Sequence, residues 1–314
     1  MSEINSRRKF LKQTGLASTA SVLPLSFFSN QPKYKMGLQL FTIRDAMAKD
    51  PVKSLKYARS LGYEDGEIYG YDGDNDLYYG MKSNEFKSVL QDLDFTISSG
   101  HYDFSSRFHL PDAELLRFVD QCITGAKTIG SEYITWPWLA PEYRGLENFK
   151  ILADKLNGIG ERVTEAGLGF AYHNHDFEFT DHQGETGYDI ILANTDPDLV
   201  KLQMDMYWVA HSSQKGPATL IAENPGRYVM WHIKDMDKVT RDYSELGNGS
   251  IDYVSMLSKL DKDALKYYYI EQGGNFAQNS MQSITDSATY FKKYLQQYLW
   301  KWCILIKFTL TAIL

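Results

Sequence analysis

The residues best suited to chemistry lie in one short stretch in the middle of the chain. The segment YHNHDFEF, residues 172–179, places two histidines and two carboxylates within six positions. It follows an apolar run that predicts a β-strand, and residues two apart in a strand point to the same face. His173 and His175 are therefore expected to share a face. This pattern suits metal ligands or a catalytic base, although a polar loop that happens to be rich in histidine has the same composition.

The elements that must position these residues follow a repeating pattern. After Pro32, short apolar runs rich in Ile, Val, Tyr and Phe alternate with longer segments of helical period. The predicted strands cover residues 36–42, 67–69 (the end of the second strand), 95–101, 132–136, 168–173, 199–205, 228–233 and 267–271. The predicted helices cover residues 51–61, 83–93, 111–129, 146–166, 188–193, 217–223, 251–260 and 280–298.

Eight strand-then-helix units predict an α/β protein, specifically a (β/α)8 TIM barrel. A doubly wound open sheet is the alternative. It would place a glycine-rich phosphate loop after the first strand, where this chain has FTIRD at residues 41–45. The barrel is therefore the prediction.

Polar side chains recur where the predicted strands end, which is the functional end of such a barrel. The residues are Gln39, Arg44, Glu67, His101, His173, His175, Asp205, His232, Lys234, Glu271 and Gln272. Each could be structural on its own: Glu67 could pair with Arg44, and His101 could cap a loop. Their common level in the barrel predicts one shared site.

Composition limits what this site can bind. The net charge of −7 and the pI of about 5.5, with no long basic run beyond the N-terminus, argue against a nucleic-acid partner. The two cysteines, Cys122 and Cys303, provide neither a disulfide framework nor a thiolate zinc site. Any metal must therefore bind His, Asp and Glu, which suits Mn²⁺, Mg²⁺, Fe²⁺, Co²⁺ or Zn²⁺.

The two ends of the chain differ from the barrel pattern. SRRKFLK at residues 6–12 and the apolar stretch that follows it predict a twin-arginine leader over residues 1–32. A basic, disordered arm is the alternative. The leader implies export, to the periplasm or to the outer face of a membrane. The barrel is assigned to residues 33–298, and residues 299–314 form an apolar tail of unclear role.

Eight short motifs occur in the order in which one known family carries them. They are GLQLFTIRD (37–45), LGYEDGEIYG (61–70), GHYDF (100–104), YITWPWL (133–139), YHNHDFEF (172–179), LQMDMYWV (202–209), WHIKDM (231–236) and YYIEQ (268–272). With these motifs the chain resembles the xylose isomerase-like TIM-barrel superfamily, in its sugar phosphate isomerase/epimerase branch. The resemblance spans about residues 36–297.

The resemblance implies one divalent metal held by the last four strands. Asp205, His232 and Glu271 match three of the family's ligands. Relatives carry Glu-Asn-His on the fifth strand, where this chain has His-Asn-His, so His173 takes the position of the first glutamate. Glu178 is the alternative fourth ligand.

The resemblance also implies a sugar isomerase or epimerase that removes a proton next to a carbonyl. Related epimerases place one glutamate on each face of the sugar. Glu271 can serve one face, and His175 or His101 is the candidate base for the other; Lys234 completes the predicted catalytic set. The presence of His173 where relatives carry a glutamate favours an alternative, a lyase that expels the aglycone of a 3-keto-glycoside. A sugar-binding barrel without catalysis is a further alternative.

The predicted substrate is a small carbohydrate. Export and the lack of an Arg/Lys cluster favour an unphosphorylated sugar, and the sequence is compatible with a homo-oligomer. The residues predicted to contact the substrate are Gln39, Arg44, Glu67, Trp136, Trp208 and Gln272.

Overall fold

The computed structural model of the protein describes residues 34–299. Twelve strands lie within this range: β1 (Gly37–Gln39), β2 (Asp65–Tyr69), β3 (Leu77–Tyr78), β4 (Met81–Lys82), β5 (Thr96–His101), β6 (Tyr133–Trp136), β7 (Gly169–His173), β8 (Lys201–Asp205), β9 (Tyr228–Ile233), β10 (Asp235–Met236), β11 (Tyr243–Ser244) and β12 (Tyr267–Ile270).

The α-helices of the same range follow the barrel strands in the chain. They are α1 (Arg44–Met47), α2 (Pro51–Ser60), α3 (Ser83–Asp92), α4 (Asp112–Ile129), α5 (Leu146–Glu165), α6 (Gly187–Asn194), α7 (Met206–Ser212), α8 (Pro217–Glu223), α9 (Tyr253–Lys259) and α10 (Ser280–Tyr290). The predicted leader, and the predicted tail beyond Leu299, lie outside the described residues.

Eight of the strands close into a parallel barrel, in the order β1-β2-β5-β6-β7-β8-β9-β12. β1 pairs with β12 to complete the circle. This confirms the predicted (β/α)8 fold. The remaining four short strands form two hairpins, β3–β4 after β2 and β10–β11 after β9. Within residues 34–299 no helix combines the length and apolarity needed to cross a membrane.

Burial explains why these segments form strands and helices. All six residues of β9 are buried, as expected for a parallel strand with the barrel interior on one side and helices on the other. Helix α5 buries Phe149, Leu152 and Leu156, which lie on one face at helical spacing, against the barrel. Gly130 ends α4 with a φ of 79°, a conformation that favours glycine.

The structure differs from the predicted elements at three places, two boundaries and one additional helix. The first strand was predicted to reach Thr42 but ends at Gln39, because the Gln39 side chain accepts a hydrogen bond from the N–H of Phe41 and starts a 3₁₀ turn. Helix α7 was not predicted; it begins directly after Asp205, which caps it. The last helix ends at Tyr290 and continues as a π turn over Phe291–Leu295.

Candidate active site

A cavity of about 420 Å³ lies at the carboxyl ends of the barrel strands. Six histidine, lysine or carboxylate side chains line it: His101, Asp103, His173, His175, Lys234 and Glu271. The barrel therefore brings together predicted residues that are up to 170 positions apart in the chain, since 271 − 101 = 170. Aromatic rings form much of the remaining wall.

Four of the seven histidines of the chain form one cluster at this level. The His173 ring centroid lies 4.5 Å from that of His232, 5.0 Å from that of His101 and 4.9 Å from that of His175. His173 and His175 thus meet, as the two-residue spacing predicted. Burial lowers the pKa of both side chains well below the usual value, and neighbouring cationic groups add to this effect. Both imidazoles are therefore neutral near pH 7.

Glu67 lies beneath the cluster and holds two of the imidazoles. Its Oε2 accepts hydrogen bonds from Nε2 of His232 at 2.6 Å and from Nε2 of His101 at 3.0 Å. Burial opposes ionisation of this carboxyl, but the two histidines outweigh it and hold the pKa of Glu67 well below its usual value. Three further side-chain donors complete its shell: Gln39, Ser99 and Gln203.

These contacts decide which nitrogen of His101 carries the proton. Its Nε2 lies 2.7 Å from the amide oxygen of Gln203, which can only accept, and 3.0 Å from the Glu67 carboxylate. Nε2 must therefore donate. In the neutral ring the lone pair is then on Nδ1, and because His101 lines the cavity this nitrogen is available as a base.

Charged groups at the ends of the neighbouring strands β8, β9 and β12 form a continuous chain of contacts. The ammonium of Lys234 lies 2.5 Å from Oδ2 of Asp205 and 2.8 Å from Oε2 of Glu271. Nδ1 of His232 lies 2.5 Å from the same Glu271 oxygen. Burial opposes the charge of Lys234, but Asp205 and Glu271 outweigh it and raise its pKa above the usual value. Glu271 is ionised in turn, because Lys234 and His232 outweigh burial and lower its pKa.

The predicted metal ligands fit a divalent ion. Donor atoms of Asp205, His232 and Glu271 lie within 4.8 Å of one another, and so do nitrogens of His101, His173 and His232. Nδ1 of His173 is buried without a hydrogen-bond partner. Nε2 of His232 donates to Glu67, the arrangement that orients a metal-binding imidazole through a carboxylate behind it.

Local structure leaves one oxygen of Asp205 for such an ion. Oδ1 accepts the N–H groups of Tyr207 and Trp208 at the start of α7, at 3.0 and 3.2 Å. Oδ2 faces Lys234 and lies 3.5 Å from Nε2 of His173. The helix that follows β8 therefore orients the carboxylate through the oxygen that the site does not use.

The structure does not support Glu178 as the alternative ligand. Its two oxygens accept hydrogen bonds from the hydroxyl of Tyr172, at 2.7 Å, and from the N–H of His175, at 2.8 Å. Glu178 instead fixes the turn that follows β7. Burial raises the pKa of this carboxyl to about 8.

Three residues predicted to contact the substrate have other partners. Both polar atoms of Gln39 are engaged, by Glu67 and by the N–H of Phe41. Gln272 donates to two loop carbonyls and accepts from Ser283. The guanidinium of Arg44 lies over the Phe41 ring and bonds to the carbonyl of the same residue; the ion pair with Glu67 is not formed.

Glu67 and the two predicted tryptophans also lie behind the cavity wall. Glu67 and Trp136 are fully buried, and the indole N–H of Trp136 donates to the carbonyl of Trp138 at 2.8 Å. The ring of Trp208 stands 5.9 Å from that of His175. Trp138, two residues beyond Trp136, is the tryptophan that lines the cavity.

Sequence reasoning missed Ser99 and Gln203, which hold Glu67 and His101. A signal was present: each lies two positions before a predicted site residue on the same strand, and therefore on the same face. Tyr243, on the hairpin after β9, also lines the cavity, and no pattern in the sequence marks it.

The chain belongs to the xylose isomerase-like TIM barrel family, which it matches over residues 55–293. A curated relative is the inosose dehydratase of Clostridium beijerinckii, 26% identical over 138 residues, which make up 38% of this chain and 45% of that protein. The chain thus aligns with less than half of the length of this relative.

Solved structures show the same fold. A sugar phosphate isomerase/epimerase from Parabacteroides distasonis superposes with a TM-score of 0.72 at 24% identity, covering 85% of this chain and 96% of that one. The IOLI protein, whose crystal structure holds a zinc atom, has a TM-score of 0.67 at 17% identity, with 84% and 99% covered.

Proposed function

We propose that this protein is a divalent-metal-dependent sugar isomerase or epimerase that removes a proton next to a carbonyl group. One observation carries the proposal: a buried group of Asp205, His232 and Glu271, with donor atoms within 4.8 Å of one another, adjoins a cavity that also contains His101 and His175. The family and the names of the relatives support sugar chemistry of this kind.

Asp205, His232, Glu271 and His173 would hold the ion. When bound, it would polarise the substrate carbonyl and make the neighbouring C–H more acidic. When its ring carries one proton, His101 can accept the proton of that C–H at Nδ1, because Glu67 and Gln203 keep the ring proton on Nε2. The ammonium of Lys234 can bind the oxygen that gains negative charge.

A lyase acting on 3-keto-glycosides is the second candidate. It begins with the same proton removal, but the group β to the carbonyl then leaves with the electron pair. Glu271 is the single glutamate among the described residues that line the cavity, whereas an epimerase of the two-glutamate type needs one on each face. The similarity to a dehydratase, an enzyme named for an elimination, also favours this candidate.

The test is deuterium exchange. We expect the Mn²⁺-loaded protein in D₂O to incorporate deuterium next to the carbonyl of a free ketose or of a methyl 3-keto-glucoside, as followed by NMR. Epimerised ketose indicates the first candidate, and released methanol indicates the second. Asp205→Asn should abolish both exchange and metal binding. A folded protein that binds no divalent ion and exchanges no proton would exclude both candidates.

We also propose that the protein is exported by the twin-arginine route, on the basis of SRRKFLK at residues 6–12. Cell fractionation checks this. Replacing Arg7 and Arg8 together by Lys should keep the protein in the cytoplasm, whereas Lys9→Arg serves as the matched control. Equal export of the double variant would contradict the proposal.

A further inference from the structure

The wall of the cavity has two chemically different halves. The neighbouring strands β7, β8, β9 and β12 carry most of the charged residues of the site. Aromatic rings with exposed surface lie at the carboxyl ends of three of the other strands: Phe41 after β1, Tyr69 on β2 and Trp138 after β6. We call these three residues the aromatic wall. His101 and Asp103 are the histidine and the carboxylate on this side.

Two rings of the aromatic wall are exposed but held in place. Phe41 is 39% exposed and Trp138 is 41% exposed. The guanidinium of Arg144 lies 5.2 Å from the centre of the Trp138 ring and donates to the carbonyl of the adjoining Leu139. The guanidinium of Arg44 lies 4.3 Å from the centre of the Phe41 ring. These contacts fix the rings in advance, so binding a ligand costs little further conformational entropy.

Tyr69 connects the aromatic wall to the hairpin after β2. Its ring meets Phe41 edge to face at 5.3 Å and Tyr79 at 5.4 Å. The hydroxyl of Tyr79 accepts the N–H of Tyr69 at 3.1 Å. The three rings pack as a unit, which keeps the Phe41 ring beside the cavity instead of in the core.

The size of the cavity exceeds the needs of one sugar ring. Its 420 Å³ lie within the range of about 300–1,000 Å³ that is typical of pockets for drug-sized ligands, which are larger than a single sugar ring. A sugar that reaches Lys234, Glu271 and His101 lies at the polar side chains of the site, and the exposed rings of Phe41 and Trp138 are left for a second group. Aromatic faces bind the C–H faces of sugars and other flat rings by dispersion and by the ring quadrupole.

We propose that the aromatic wall is a subsite for a second ring, so that the substrate is a glycoside with a ring-shaped aglycone and not a free monosaccharide. The inference rests on the proposed function and names its substrate class. The aglycone is either a second sugar or an aryl group, since both present the flat face that Trp138 and Phe41 recognise.

Binding without chemistry tests the subsite. We expect phenyl β-glucoside and cellobiose, which lack a keto group, to bind the Mn²⁺-loaded protein at least tenfold more tightly than methyl β-glucoside in calorimetry. Trp138→Ala and Phe41→Ala should remove most of this preference and leave methyl β-glucoside unaffected. Tyr294→Ala is the matched control, because Tyr294 is 40% exposed and lies on the π turn, outside the cavity lining. The better of the two ligands distinguishes an aryl from a sugar aglycone.

Turnover separates this inference from the proposed function. Equal affinity for the three glucosides, or a preference that survives both substitutions, would overturn the subsite even if methyl 3-keto-glucoside is converted. A preference that depends on Trp138, without conversion of any keto-sugar, would support the subsite and contradict the proposed function. Because both rings are exposed, the variants are expected to fold, and circular dichroism checks this.

Discussion

At the scale of single residues, Glu67 decides the chemistry of its neighbours without lining the cavity. It is fully buried, and its two oxygens receive five side-chain donors. Through them it holds a proton on Nε2 of both His101 and His232, and a metal ion bound at Nδ1 of His232 would replace the proton there. Burial opposes protonation of His232, but Glu67 and Glu271 outweigh it and raise its pKa to about 9.

We therefore expect Glu67→Gln to weaken metal binding by roughly 10- to 100-fold. In the variant an amide NH₂ group replaces one carboxylate oxygen and cannot accept a hydrogen bond. At least one imidazole therefore loses its acceptor. Competition with a chromogenic chelator measures the affinity, and ¹⁵N NMR reports the tautomers. Glu147→Gln, on an exposed side chain, is the control. Unchanged affinity in a variant with altered tautomers would contradict this role.

Lys234 occupies the position between two carboxylates that would also attract a divalent ion. Its ammonium is 2.5 Å from Asp205 and 2.8 Å from Glu271. Removing a like charge beside the ion should raise the affinity, so we expect Lys234→Met to bind Mn²⁺ at least tenfold more tightly while its turnover falls. Calorimetry gives the affinity, and Lys201→Met, on the edge of β8, is the control. Weaker binding in the Lys234 variant would show that the ammonium supports the ion.

Glu178 should make stability depend on pH. Burial raises its pKa from 4.5 to about 8, so the folded protein keeps a proton that the unfolded chain releases over this interval. The stability of the wild type therefore falls as pH rises between these values, by roughly 1.4 kcal/mol per pH unit at most.

Glu178→Gln mimics the protonated side chain and is expected to lack this loss. In urea unfolding at several pH values, the free energy of unfolding of the variant should increase relative to that of the wild type from about pH 5 to about pH 8. Glu85→Gln, an exposed replacement in α3, should show no such trend. A constant difference between the Glu178 variant and the wild type would mean that the carboxyl is ionised throughout.

At the scale of elements, turns after the strands set the orientation of site residues. Helix α7 takes one oxygen of Asp205 as its cap, and the turn after β7 is held by Glu178. After β9, the buried Asp235 binds the backbone of the loop that leads to α9. Its carboxylate accepts the N–H groups of Gly247, Gly249 and Ile251.

We expect Asp235→Asn to lower the free energy of unfolding by about 2–3 kcal/mol, because an amide cannot accept all of these bonds and leaves buried N–H groups unpaired. Asp235 follows Lys234 directly, so the variant should also show reduced turnover. Urea unfolding measures the loss, and Asp92→Asn, at an exposed position on α3, is the control. A loss no larger than that of the control would mean that the loop is held by other contacts.

At the scale of the whole molecule, barrel closure creates the site. The four strands that carry most of the charged groups, β7, β8, β9 and β12, are neighbours in the barrel, and the aromatic wall belongs to the other side of the barrel. Glu67 and His232, 165 positions apart, meet at 2.6 Å only because the pairing of β1 with β12 closes the barrel and brings β2 close to β9.

The sequence by itself determined the strands, most helices and the level at which the site lies, because periodicity and strand ends are local properties. It also predicted that Asp205, His232 and Glu271 belong together. Only the tertiary structure decided where each side chain finds its partner. Glu67 bonds to His232 instead of Arg44, and Trp138 lines the cavity that had been assigned to Trp136.

The physical reason is that these outcomes depend on the register between strands that are distant in the chain. A hydrogen bond forms or fails over less than 1 Å, and periodicity in one strand does not specify its offset from another. Glu178 illustrates the same limit over a short distance. Its carboxylate and its place after the fifth strand suggested a metal ligand. The 3₁₀ turn after β7 instead brings the carboxylate to Tyr172 and to the N–H of His175. His173 is the residue that lies beside Asp205.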